Sequence, residues 1–316
     1  MKKTFLIIFT NIILFAIIIF SLEIIVWGCE NLRIKFQKEI QYNKLPIPFH
    51  PGIKRIESIN LEEFKDSKKT WTRKPEGLNY TKKPIVIFGC SYAYGLNLNK
   101  EQTFSYKLSH FTKRPVYNRA VSGWGFQHML NQVKQNQFYI DIPEPEYVIY
   151  LMINDHFRRL YVPTFMSASL LDETYNLRYE LKDGKLIIKK EKNALLEFIH
   201  RLYITQKIEH FYINNILLKS DNYEQYFSFA LQHLVESKNE MKKHWKNTKY
   251  VVILYQTFPH DNLFIEQLKK NGFIVISLKY DYNLNLHTPE YMSQDYHPKE
   301  QAWDLLTNKI SESLNI

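Results

Sequence analysis

Residues Pro84 to Gly95 constrain this chain more than any other stretch. Ile85, Val86, Ile87 and Phe88 form an unbroken run of β-formers that stops at Gly89-Cys90-Ser91, and Gly95 follows four residues later. A continuous apolar run of this kind reads as a strand covered on both faces, as in a parallel sheet flanked by helices. A small-residue turn directly after such a strand puts its side chains at the carboxyl edge of the sheet, where open α/β sheets bind ligands. Ser91 therefore stands where a nucleophile would, although Gly and Ser also furnish plain strand-to-helix turns.

Three later blocks sharpen that reading. Val116-Tyr117 leads into Asn118-Arg119-Ala120-Val121-Ser122-Gly123-Trp124-Gly125. The buried-strand pattern Tyr147 to Met152 ends in Ile153-Asn154-Asp155-His156, and Asp295-Tyr296-His297-Pro298 precedes a last helical stretch. In type and order the four blocks resemble the SGNH/GDSL hydrolase superfamily, over roughly residues 84–316, with about 160–245 unmatched. The resemblance is closest to the membrane-anchored SGNH proteins of bacterial envelope loci, whose first block often reads Gly-Cys-Ser. It implies an α/β domain of three layers, α/β/α, around a mostly parallel, flavodoxin-like sheet. It also implies Ser91 as nucleophile, His297 as base, Asp295 as the support of the imidazole, and an oxyanion hole built from Ser91, Gly123 and Asn154. No cofactor and no metal are expected.

The chemistry requires these residue types. A serine hydroxyl is a poor nucleophile until a neighbouring base removes its proton, and a carboxylate behind the imidazole orients it and stabilises its charged form. The developing oxyanion needs donors already in place, and a glycine lets backbone approach without a Cβ. Two features depart from the family pattern. One residue, not two, separates Asp295 from His297, and Ile153 stands where a glycine often precedes the Asn. In an extended segment, positions two apart face the same side, so Asp295 can still support His297; otherwise His297 works as half of a dyad. Cys90 reads as a small packing residue behind the nucleophile. Asp155-His156 invites a metal reading, but adjacent residues on an extended chain diverge. Arg158 and Arg159 read as a solvated helix start, with contact to an acidic substrate as the alternative.

The amino-terminal region has a different character. Phe5 to Trp27 is almost continuously apolar. At ~1.5 Å per residue such a helix is about 35 Å long, enough for a ~30 Å hydrocarbon core. It lacks a small-x-small cleavage site, so it reads as an uncleaved signal anchor; Val26-Trp27-Gly28-Cys29 only loosely resembles a lipoprotein processing site. Lys2 and Lys3 oppose Arg33, Lys35 and Lys38, so charge does not settle orientation. The resemblance implies a single-pass inner-membrane protein with its domain on the periplasmic side. The expected organisation is an anchor over 1–29, a proline-punctuated stalk over 30–83, and the hydrolase-like domain over 84–316 with an insertion at about 160–245.

Within that domain the patterns predict a strand at 84–89, helices at 101–111 and 127–139, and a strand at 147–152. A hairpin follows at 175–188, turning at Asp183-Gly184, then mostly helix over 193–247. A strand at 249–254, a helix at 262–271 and a last strand at 273–278 complete the core. The formal charge of +10 is scattered along the chain. It reads as a solvated basic surface, with attraction to anionic lipid or acidic polysaccharide as the alternative, and no nucleic-acid track is present. Cys29 and Cys90 are placed too differently to suggest a disulfide. The function implied is a membrane-anchored esterase or O-acyltransferase acting on acylated envelope carbohydrate or another ester. A lipid esterase and a silent, carbohydrate-binding assembly protein are the alternatives.

Overall fold

The computed structural model describes residues 63–65, 71–73, 75–161, 178–182, 185–189, 223–258 and 260–316, together with Ser21. Apart from Ser21, these fall in one unit, Glu57–Lys190 with Leu218–Ile316. The strands are β1 (Glu63–Lys65), β2 (Trp71–Arg73), β3 (Ile85–Phe88), β4 (Val116–Asn118) and β5 (Tyr147–Met152). They continue as β6 (Arg178–Lys182), β7 (Lys185–Lys189), β8 (Lys249–Leu254) and β9 (Ile274–Ser277). Five of them form one sheet in the order β4-β3-β5-β8-β9, and every neighbouring pair in it is parallel. This is the doubly wound order in which the chain starts in the interior, moves to one edge, then returns past its starting strand to build the other side. The change of direction falls between β3 and β5.

The apolar runs that predicted strands are buried on both faces, as parallel packing requires: all residues of β3 and β5 are buried. Alternate side chains point to opposite layers. On one face Ile85, Ile87, Ile149, Leu151 and Ile253 join Phe104, Leu108, Trp303, Leu306 and Ile310 in a continuous core. These come from helices Phe104–Thr112 and Glu300–Leu314, and Trp303 stacks on Phe104 with ring centroids 5.5 Å apart. The other face is aromatic. Phe126 stacks on Tyr150 at 5.1 Å, and Phe157 packs against Phe227 and Phe264. Helices Phe126–Val133, Asp155–Tyr161, Tyr223–Lys242 and Asp261–Lys270 supply that layer. The three-layer parallel α/β/α domain expected from the sequence is the one observed.

Details differ where local chemistry intervenes. The single helix expected over 127–139 is two, Phe126–Val133 and Gln137–Ile140. Tyr139 Oη donates to the Val133 carbonyl at 2.6 Å, so the side chain satisfies an end that a continuous helix would have satisfied with backbone. The hairpin is observed as antiparallel β6 and β7, with Lys182 opposite Lys185; its turn, Asp183-Gly184, lies outside the described residues, as does helix expected over 193–222. Near the end of the expected stalk, β1 and β2 pair antiparallel, and Glu76 forms an antiparallel bridge with Val116.

The expected transmembrane helix is corrected. No helix among the described residues is long and apolar enough to cross a membrane. The longest among them, Tyr223–Lys242, bears charges at Glu236, Lys238, Glu240 and Lys242 and packs on the domain through Phe227, Ala230 and Leu234. Residues 5–27, Ser21 excepted, lie outside the described residues. The membrane-anchored class, the membrane contact through 5–27 and the inner-membrane, periplasmic placement are withdrawn with the span that carried them.

Candidate active site

Ser91 is the first residue of the short helix Ser91–Tyr94 that follows β3. The turn depends on Gly89. A Cβ there would lie 2.8 Å from Ala93 Cβ and 3.1 Å from the Leu151 carbonyl oxygen, so only glycine lets the new helix sit this close to β5. Gly95 ends the helix in the left-handed conformation, its N–H donating to the carbonyls of Ser91 and Tyr92 at 3.0 Å. Ser91 is thus fixed from both sides and is only 7 % exposed.

The segment before helix Glu300–Leu314 reaches the same point from the far end of the chain. His297 Nε2 lies 3.0 Å from Ser91 Oγ, and His297 Nδ1 lies 3.1 Å from Asp295 Oδ2. With the proton on Nδ1, the imidazole donates to Asp295 and accepts from the serine hydroxyl. The short Asp–His spacing is accommodated by a turn, not by the extended segment the sequence suggested. Tyr296 adopts φ 62° and the Met292–Pro298 bridge closes the loop beneath it. A left-handed residue reverses the chain locally, which brings Asp295 back under the imidazole.

Side chains the sequence reading did not single out complete this loop. Tyr92 Oη donates to the Tyr296 carbonyl at 2.7 Å, with its ring 5.6 Å from that of His297. Asn97 Nδ2 donates to Asp295 Oδ2 at 2.5 Å, and Ser293 Oγ hydrogen-bonds Asp295 Oδ1. The His297 N–H donates to Ser293 Oγ at 3.1 Å. Burial alone would raise the Asp295 carboxyl; hydrogen bonds from His297 and Ser293, with the imidazole's charge, outweigh it and hold the group well below the usual carboxylate range. Asp295 is therefore an anion facing the histidine. The one local signal for these partners is Asn97, a residue that tolerates the left-handed φ of 64° found there.

Gly123 lies in the loop after β4. The Val121 N–H donates to the Gly89 carbonyl at 3.4 Å, which sets this loop beside the serine turn. The Trp124 N–H donates to the Val121 carbonyl at 3.1 Å, and Gly123 takes φ 85°, the position of a type II turn that demands glycine. Asn118 braces the approach: its Nδ2 donates to the Ala93 carbonyl at 2.7 Å and its Oδ1 accepts from the Ala120 N–H at 3.1 Å. Asn154 stands two residues beyond the end of β5, the strand beside β3. Its Nδ2 donates to the Thr257 carbonyl at 2.7 Å and its N–H donates to Gln256 Oε1 at 3.1 Å. One Nδ2 hydrogen, after the Thr257 bond, remains to donate elsewhere.

The pair after Asn154 diverges. His156 is fully buried, its Nδ1 2.9 Å from Tyr150 Oη, and burial holds its pKa well below the ordinary histidine value. Asp155 turns instead to Arg159. Arg159 corrects the expectation of a solvated helix start: it is 8 % exposed. Cys90 is buried and is a free thiol, as a packing residue behind the serine would be.

Ser91 and His297 in hydrogen-bond contact on an α/β sheet edge support a catalytic hydrolase. The finer expectation, a membrane-anchored esterase or O-acyltransferase of envelope carbohydrate, is corrected: no helix among the described residues is long and apolar enough to cross a membrane. No family model matches the chain, and no curated protein matches it. Among solved structures it is similar to an acetyl xylan esterase from the rumen bacterium Butyrivibrio proteoclasticus, at 11 % identity and TM-score 0.42, covering 78 % of this chain and 67 % of that one. A carbohydrate esterase family 2 enzyme with a carbohydrate-binding domain from Corynascus thermopiles gives 12 % and 0.42, over 78 % and 70 %. A member of the lipolytic G-D-S-L family from Veillonella parvula gives 12 % and 0.40, over 72 % and 96 %. Likenesses at this identity and superposition assign neither activity nor substrate.

Proposed function

We propose that the protein is a serine ester hydrolase of the SGNH kind, acting through an acyl-enzyme on Ser91. One observation carries the reading: Ser91 Oγ, the His297 imidazole and the Asp295 carboxylate are joined in a line by contacts of 3.0 and 3.1 Å. These fall in the range a general base needs.

In this reaction Ser91 Oγ attacks the ester carbonyl carbon while His297 Nε2 takes the hydroxyl proton. Asp295 stabilises the imidazolium. The carbonyl oxygen, now an oxyanion, is received by the N–H groups of Ser91 and Gly123 and by the Asn154 amide. As the tetrahedral intermediate collapses, the C–O bond to the alcohol breaks and His297 returns its proton to the leaving oxygen. Water then attacks the acyl-serine with His297 again as base, releasing the acid and restoring the hydroxyl. Preset donors of this kind act where charge develops and are usually the largest electrostatic contribution to such a reaction.

A fluorophosphonate probe is expected to label the protein on Ser91, and p-nitrophenyl acetate is expected to turn over with a burst of p-nitrophenol. Folded protein that resists the probe and hydrolyses no acyl ester overturns the proposal.

A further inference from the structure

Each of the three segments assigned an oxyanion donor presents the residue beside that donor to a single buried side chain. Cys90 precedes Ser91, Trp124 follows Gly123, and Asp155 follows Asn154. Arg159 hydrogen-bonds the last two. Its Nη1 donates to the Trp124 carbonyl at 2.5 Å, its Nε to Asp155 Oδ2 at 2.7 Å, and its Nη2 lies 2.6 Å from the same oxygen. Cys90 lies within electrostatic reach of the guanidinium.

Helix stability alone does not explain this arrangement. An Asp–Arg pair four residues apart contributes little on an exposed helix. Taking a guanidinium out of water is costly unless its donors are met. Here they are met by the Asp155 carboxylate at the start of the same helix and by the Trp124 carbonyl from the loop after β4. The planar fork, with donors in fixed directions, dictates where those groups lie relative to one another. A lysine ammonium in the same place would retain the charge but lose the fork. Gly125, next to Trp124, lies in ordinary packing contact with the Arg159 stem: a Cβ there would be 3.5 Å from Arg159 Cβ.

We infer that Arg159 is a positioning residue: one buried guanidinium fastens the backs of the Gly123 and Asn154 segments to each other and thereby fixes the spacing of their oxyanion donors. It touches no substrate. The inference rests on the ester-hydrolase reading of the same site.

The test compares wild type, Ser91→Ala, Arg159→Lys, Arg159→Ala and Asp155→Asn in the full chain, measuring melting curves and p-nitrophenyl acetate kinetics. Arg159→Lys is expected to lose roughly 10²-fold in kcat with little change in KM, as loss of an oxyanion donor's register would give. Added guanidinium ion is expected to restore part of kcat to Arg159→Ala and to do nothing for Ser91→Ala. Asp155→Asn keeps the arginine while loosening one side of the fork, and should show a smaller kcat loss of the same kind. If Arg159→Ala does not fold, Arg159→Lys and Asp155→Asn decide. A folded Arg159→Lys protein with wild-type kcat overturns the positioning role while leaving the esterase reading intact. So does a kcat loss no greater than the loss of folded protein. Wild type without Ser91-dependent turnover overturns the esterase reading and this inference together.

Discussion

The two halves of the site are held in opposite ways. The base half, Ser293 to His297, is a surface loop closed by the Ser293 N–H donating to the His297 carbonyl and held further by side-chain hydrogen bonds: Ser293 and Asn97 on Asp295, Tyr92 on the Tyr296 carbonyl. The donor half grows directly from β3, β4 and β5, and its polar fastening, Arg159, is buried. A loop held by several partly exposed bonds can lose one and keep its shape. A buried guanidinium has no solvent to replace a missing partner. Substitutions in the base half outside the reacting groups should therefore be graded and mild, and those in the donor half abrupt.

The largest effect tests whether both halves serve one reaction. Ser91→Ala and His297→Ala should each lower kcat on the order of 10⁶-fold, and the double variant should be no worse than either single one. Rates that fell multiplicatively in the double variant would mean the two act in separate steps. Next, Asp295→Asn should cost about 10⁴-fold, because a neutral amide favours the wrong imidazole tautomer. A loss below tenfold would make His297 half of a dyad despite the 3.1 Å contact. Asn154→Ala, in the donor half, should cost on the order of 10²–10³-fold in kcat with KM little changed.

Smaller effects probe the loop's fastenings. Tyr92→Phe removes one hydrogen bond, worth about 1 kcal/mol, and should slow turnover about fivefold at most. A hundredfold loss would show that the loop is as brittle as the donor half. The smallest effect is on acid stability. Asp295 is held below its ordinary value in the folded protein, so its contribution is complete above the unfolded value of about 3.9 and is lost as pH falls from there toward the folded value. Wild-type melting temperature should drop more steeply below about pH 4 than that of Asp295→Asn; parallel curves would remove the anion from the stability of this loop.

Much of the donor half was legible because its determinants are local. Unbroken apolar runs at 85–88, 147–152 and 250–254 read as strands buried on both faces, and small residues after them sit at the sheet edge. The serine and the histidine were legible from their order along the chain. The Asp–His geometry was not, because one left-handed residue decides it and tyrosine is not a residue that advertises such a conformation. Arg159 was read wrongly for a related reason. Its carboxylate partner is four residues away, as on any solvated helix, while the Trp124 carbonyl that marks its burial is 35 residues away. The apolar run at 5–27 met the length of a span on composition alone, and no described helix corresponds to one.

His297 lies six residues before Trp303, the fully buried ring that fills the core on Phe104. Ser91 is 206 residues upstream of His297, so during synthesis it emerges long before the proposed base. The stretch that brings the imidazole also brings Trp303, Leu306 and Ile310, without which one face of the sheet stays open to water. Under the proposed mechanism, the residues that close this face of the core and the residue that arms the serine thus arrive on one short stretch of chain. If Ser91 is the nucleophile, the appearance of ester hydrolysis would time the docking of helix Glu300–Leu314 on the sheet.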